Sequence, residues 1–158
     1  MASYLLYAVA NVGLSPLIDE SNWPILVVTM PTLPMSDVEL RKYLDQLKKF
    51  CQRGTPYALV MDVRQAPPLA PAQRRMVAEH LDLQAEKYPN IQRGVAIVLS
   101  NSIQRGIVMV LTWLAKKPFQ MQPFCSVEPA LEWARKVALQ PVSNVKRPAQ
   151  AQSTSRGL

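Results

Sequence analysis

Asp62 and Arg64 stand at the end of an apolar run, Tyr57-Ala-Leu-Val-Met61 and then Val63. Arg74 and Arg75 follow a proline-rich loop. Arginines at the end of a buried strand and the start of a helix could receive an acidic group, helped by free helix N–H groups. The plainer reading is an Asp that bonds local backbone and arginines on a wet helix face, and these residue types favour it. His80 is the single histidine, and Cys51 and Cys125 are the two cysteines. A thiol–imidazole pair would need a tertiary contact that spacing does not supply. His80 falls beside Met76 and Leu83, which reads as a structural histidine. Glu79, Asp82 and Glu86 share a helix with Arg75 and read as ordinary i, i+4 charge neighbours. The sequence carries no Gly-rich phosphate loop, nucleophile elbow, zinc pattern or metal-ligand cluster. It assigns no catalytic residue, metal or cofactor.

The elements that hold these residues follow from hydrophobic patterning. The near-continuous run 57–63 reads as the central strand of a parallel sheet, buried on both faces. Ala66-Pro67-Pro68 stops it, because proline cannot donate to a sheet ladder. Upstream, Asp19-Glu20-Ser21-Asn22 reads as a turn between short Pro16–Ile18 and the β-branched strand Trp23–Met30. Ser36 with Glu39 makes a capping box. Val38, Leu40, Tyr43, Leu44, Leu47, Phe50 and Cys51 then recur at helical spacing, and Gly54 and Pro56 end that helix. Pro71 opens a second helix to about Tyr88, with Met76, Val77, His80, Leu81 and Leu83 inward. Gly94–Leu99 is another buried strand. Ser100–Ser102 caps a third helix, about Ile103 to Ala115. Gln120–Cys125 is a short last strand, and Ser126 caps a fourth helix with Ala130, Leu131, Ala134, Val137 and Ala138 inward. A central parallel strand places loop 64–71 at its carboxyl end, where ligands and partners usually meet such sheets.

The length of 158 residues suits one domain with tails. Residues 1–15 read as an N-terminal arm or an added edge strand, 16–140 as the domain, and 141–158 as a disordered basic tail. Lys146, Arg147 and Arg156 in that tail supply three of the seven net positive charges, so the body is only mildly basic. Its basic residues do not interleave with aromatics, which argues against a nucleic-acid face. Two distant cysteines make no disulfide framework and point to a reducing compartment. No basic n-region opens the chain, and no apolar run approaches the roughly 20 residues of a membrane span. A cytoplasmic protein is expected.

A hairpin followed by alternating helices and strands resembles the STAS/SpoIIAA-like superfamily, particularly the bacterial STAS domains also likened to CRAL-TRIO lipid-transfer domains. The residues that carry the likeness are Asp19–Val28, Tyr57–Arg64, Gly94–Leu99 and Phe124–Arg135. The most specific piece is the Glu-x-Ala-Leu-x-Trp pattern at Glu128–Trp133. The resemblance implies an α/β fold with a mixed, mostly parallel sheet, about four helices packed mainly on one side, and a binding or regulatory role. In anti-sigma-factor antagonists of this type, a serine after the central strand is phosphorylated. Here residues 56–99 contain no Ser or Thr. No phosphoryl acceptor stands on that loop, so regulation by phosphate is expected only at Ser100 or Ser102, if anywhere.

The sequence therefore points first to a non-catalytic, cytoplasmic regulatory module acting through protein–protein contact, either with another protein or as a homodimer. Arg64, Gln65, Leu69, Arg74 and Arg75 are the contact candidates on the loop and helix start. Met109 and Trp113 are candidates on a second apolar face of helix 103–115, which carries more apolar surface than one packing face needs. Replacing both with polar residues is expected to abolish association at little cost in stability. The alternative is binding of a small apolar or lipid-like ligand. A single sheet under short helices leaves little room for a cavity of several hundred Å3. An uncharacterised enzyme comes third. Truncation after Leu139 is expected to leave stability almost unchanged.

Overall fold

The computed structural model describes residues 15–101 and 119–141. Five strands form one sheet in the order β1-β2-β3-β4-β5. They are β1 (Leu17–Asn22), β2 (Ile25–Thr29), β3 (Tyr57–Asp62), β4 (Gln92–Val98) and β5 (Gln120–Phe124). The β1–β2 pair is antiparallel and the other three pairs are parallel. Three helices are described: α1 (Asp37–Gln52), α2 (Pro71–Lys87) and α3 (Val127–Ala138). The expected helix 103–115, the N-terminal arm up to residue 14 and the tail from residue 142 lie outside the described residues.

Period-2 alternation divides the sheet into two unlike faces. On one face Leu26, Val28, Tyr57, Leu59, Val95, Ile97 and Leu99 pack beneath α1 and α2 in the larger core. On the other, Ala58, Val60, Ala96 and Val98 meet Ala130, Ala134 and Ala138 of α3. The two β-α-β crossovers among the described residues thus lie on one side, as their common hand requires, and the carboxyl-terminal helix covers the reverse. Small residues let α3 sit close. A Cβ at Gly94 would come within 2.8 Å of both Trp133 and Val137.

Three boundaries differ from the pattern reading. The Asp19–Asn22 stretch belongs to β1, which extends beyond Ile18 into an irregular turn where the Trp23 N–H donates to the Glu20 carbonyl. Asp19 accepts from the Ser21 N–H, and Asn22 still pairs with Ile25, so the turn residues remain in the ladder. Ser36 caps α1 by accepting from the Glu39 N–H at 3.2 Å. The reciprocal half of the expected box is replaced, since Glu39 binds Ser15 Oγ at 2.9 Å and Lys42 Nζ at 3.2 Å. Val38 and Leu83, expected inward, are exposed; the buried positions of α2 include Gln73 and Gln84 instead.

At the amino end of the sheet, Tyr57, Trp23 and Phe50 stack, with ring centroids 5.7 and 5.9 Å apart. Arg53 lies over Trp23 and Phe50 and pairs with Glu20 at 2.8 Å. This closes one end of the larger core and leaves the carboxyl ends of the strands for the loops.

Candidate functional site: an apolar cavity between the sheet and two helices

Between the larger face of the sheet and helices α1 and α2 lies a cavity of about 210 Å3. Its floor is Leu59, Met61, Val95, Ile97 and Leu99. Leu40, Tyr43, Leu44 and Leu47 of α1 form one wall, and Val77, Ala78, His80 and Leu81 of α2 form the other. Two proline-bearing loops rim it, Met30–Pro31 with Leu33–Met35, and Ala66–Leu69. Prolines end β2 and β3 without continuing into helix, so α1 and α2 start several residues beyond the sheet edge. The loops so formed stand over the carboxyl ends of the strands, where parallel sheets place their sites.

Few polar groups reach this space, and most are already bonded. Gln73 donates from Nε2 to the Met35 carbonyl at 2.9 Å and to Asp37 Oδ1 at 3.0 Å, and its Oε1 accepts from the Ala70 N–H. It ties the two rim loops together. Arg74 donates to the Leu69 carbonyl at 2.9 Å. Gln92 accepts from the Tyr57 hydroxyl at 3.2 Å, and Cys51 Sγ lies 3.3 Å from that same hydroxyl. Burial pushes the Cys51 thiol up, so it is a neutral packing group in contact with Tyr57. Tyr43 is different. It is buried, burial pushes its phenol far above the usual range, and its hydroxyl has no partner among the described residues. His80 is half-buried, and burial lowers its pKa, with Asp45 opposing and Lys48 adding to the effect.

The residues singled out from sequence separate into two groups. Leu69 and Arg74 line the cavity. Arg64, Gln65 and Arg75 are exposed outside it. Arg64 turns back on Asp62 in a two-pronged contact, Nε to Oδ1 at 3.0 Å and Nη2 to Oδ2 at 2.8 Å. That hydrogen-bonded pair raises the Arg64 pKa and matches the plainer reading of Asp62 as a local cap. Ser100 donates to the Arg64 carbonyl at 3.2 Å. Ser102, Met109 and Trp113 lie outside the described residues. Pattern reading missed Tyr43 as a site residue because its spacing marks only a core position. The paired prolines on both loops were the signal of a rim.

A solved structure has a similar fold. It is an uncharacterised protein of the DUF3478 family from Shewanella loihica, described as having a SpoIIAA-like fold. The match covers 79% of this chain and 97% of that one, with a TM-score of 0.57 and 17% identity. The fold is SpoIIAA-like. The mixed, mostly parallel five-stranded sheet expected of a SpoIIAA-like domain is present, with three helices described where about four were expected. No protein-family model matches the sequence, and no curated protein is significantly similar to it. Within the SpoIIAA-like frame, the cavity occupies the side on which α1 and α2 lie. Among the described residues no helix is long and apolar enough to cross a membrane, and no group of His, Cys, Asp and Glu could hold a metal ion.

Proposed function

We propose that this chain is a non-catalytic, cytoplasmic binding domain that takes a small, mainly apolar molecule between its sheet and helices α1 and α2. The observation that carries this reading is the cavity itself, walled by apolar side chains from the sheet, two helices and two loops. Size sets the ligand. An apolar cavity of about 150 Å3 takes benzene, and sites for drug-sized molecules begin near 300 Å3. At about 210 Å3 the space suits one fused ring system or a short alkyl chain and excludes a whole phospholipid. The ligand reading therefore moves ahead of the protein-contact reading.

Titration calorimetry with naphthalene tests it. Saturable one-site binding is expected for the wild type and is lost in Ala78→Phe, which fills the cavity from α2. Circular dichroism of the variant should stay native. No saturable heat, or equal heat in both proteins, overturns the proposal.

Contact with a protein partner is a second reading, supported by the exposed Arg64, Gln65 and Arg75 and by Leu33, which is 50% exposed on the cavity rim. A partner seated there would touch the loops that enclose the ligand. Sedimentation of the wild type against Arg64→Glu/Arg75→Glu tests self-association through this end. Unchanged monomeric sedimentation of both proteins removes the homodimer version.

A further inference from the structure

We infer that the molecule held in the cavity carries a single carboxylate, and that this group meets the guanidinium of Arg74 at the cavity mouth. This rests on the binding reading above and deepens it by naming the ligand class, a small aryl or alkyl carboxylic acid.

The charge on the wall points that way. Among the described residues, those lining the cavity include Arg74 and no Asp or Glu. His80 also lines it, and burial lowers its pKa, so it is neutral at pH 8. Arg74 is half-buried on α2 and donates through Nη1 to the Leu69 carbonyl at 2.9 Å. That bond takes one donor of a fork that carries several. Arg53 and Arg64 each pair with a carboxylate at 2.8 Å, those of Glu20 and Asp62, whereas Arg74 has no carboxylate partner among the described residues. The Asp37 carboxylate, bonded into the same rim, accepts from Gln73 and does not line the cavity.

Position sets the orientation of the ligand. Leu69 belongs to a rim loop, so its bond to Nη1 holds the guanidinium at the mouth. The floor and the α1 wall offer apolar side chains. A molecule with its apolar body in the chamber and its acid at the rim matches both, and the acid keeps part of its water there.

The rim also limits the charge. Pro31, Pro34, Pro67 and Pro68 stand on it without N–H groups. Gln73 Nε2 already donates to the Met35 carbonyl and to Asp37. A phosphate would find one guanidinium and few further donors. A carboxylate brings one charge and two oxygens, which match one edge of a guanidinium.

Calorimetry at pH 8 with naphthalene, 2-naphthamide and 2-naphthoate tests the assignment. The amide and the acid share size and shape and differ in charge. Wild type should bind 2-naphthoate about tenfold more tightly than 2-naphthamide, the scale of one partly screened, charge-assisted pair. Arg74→Gln should bind naphthalene and 2-naphthamide as wild type does and lose the preference for the acid. Arg74→Lys keeps the charge without the fork and should keep a smaller preference. Ala78→Phe should bind none of the three. Equal binding of acid and amide by wild type overturns the Arg74 assignment while leaving the cavity reading intact. An undiminished preference in Arg74→Gln, or 2-naphthoate bound as tightly by Ala78→Phe as by wild type, also overturns it. Failure of all three probes on wild type overturns both readings.

Discussion

Gly94 lacks a side chain because α3 leaves no room for one. A methyl group there would press on the Trp133 ring and on Val137 Cγ1 at 2.8 Å each. Gly94→Ala should cost about 1–3 kcal/mol through overpacking, measured by urea denaturation. The cost should shrink when Trp133→Leu is added, since the two positions share one contact. His80 gives a pH signature. Burial lowers its folded-state pKa below the ordinary value, so the unfolded chain binds the proton more readily. The stability this contributes is complete above the unfolded pKa of about 6.5 and is lost as pH falls through the lower folded value. Melting temperature from pH 8 to pH 5 should therefore fall more steeply in the wild type than in His80→Gln. Of these residues, Gly94 was legible only as a strand position, because a helix packed on its Cα leaves no mark in strand periodicity. His80 was legible as an inward helix position, and the fold places it half-buried on the cavity wall.

At the scale of elements, the strands and helix cores were readable, and the errors lie where side chains override pattern. The α1 stripe Leu40, Tyr43, Leu44, Leu47, Phe50 and Cys51 is buried as its spacing requires. Val38, one position before Glu39 in the first turn, falls outside the arc that faces the sheet and is 62% exposed. Along α2 the apolar signal is weak, because Gln73 and Gln84 take buried positions that hydrophobic counting assigns to Leu83. Gln73 bridges backbone and side chain of another loop, a role no local pattern encodes. At the start of α1 the N-cap was legible, since Ser36 precedes the stripe and accepts from Glu39 N–H, while the Glu39 carboxylate turns to Ser15 and Lys42 instead of closing the box. Ser36→Ala should destabilise the protein by about 1 kcal/mol, read from the midpoint of chemical unfolding.

At the scale of the whole molecule, the carboxyl-terminal boundary is tighter than composition suggests. Arg93 is buried, and its guanidinium donates to the Asn90 carbonyl at 2.7 Å and the Gln140 carbonyl at 2.8 Å. Gln140 also accepts from Gln120 through its side chain at 3.2 Å. A chain ending at Leu139 removes a partner of a buried cation and should lose about 1–3 kcal/mol, contrary to the pattern-based expectation. A chain ending at Pro141 keeps that partner; comparing the melting temperatures of the two truncations measures the difference. Chain topology was legible because β1 and β2 read as a hairpin and the steps from β2 to β3 and from β3 to β4 each span a helix of ordinary length. The cavity was not, since volume depends on how far apart two helices stand over a sheet. The two faces of that sheet also differ in how freely they can change. On the α3 side, alanines and Gly94 set a contact distance that no larger residue can enter. On the other side, Leu44, Val77 and Ala78 border open space, so exchanging one of them reshapes the chamber without disturbing the alanine seam behind it. On the proposed binding reading, descendants of this chain can drift in what they hold while inheriting the same scaffold, because preference and architecture would be written on opposite sides of one sheet.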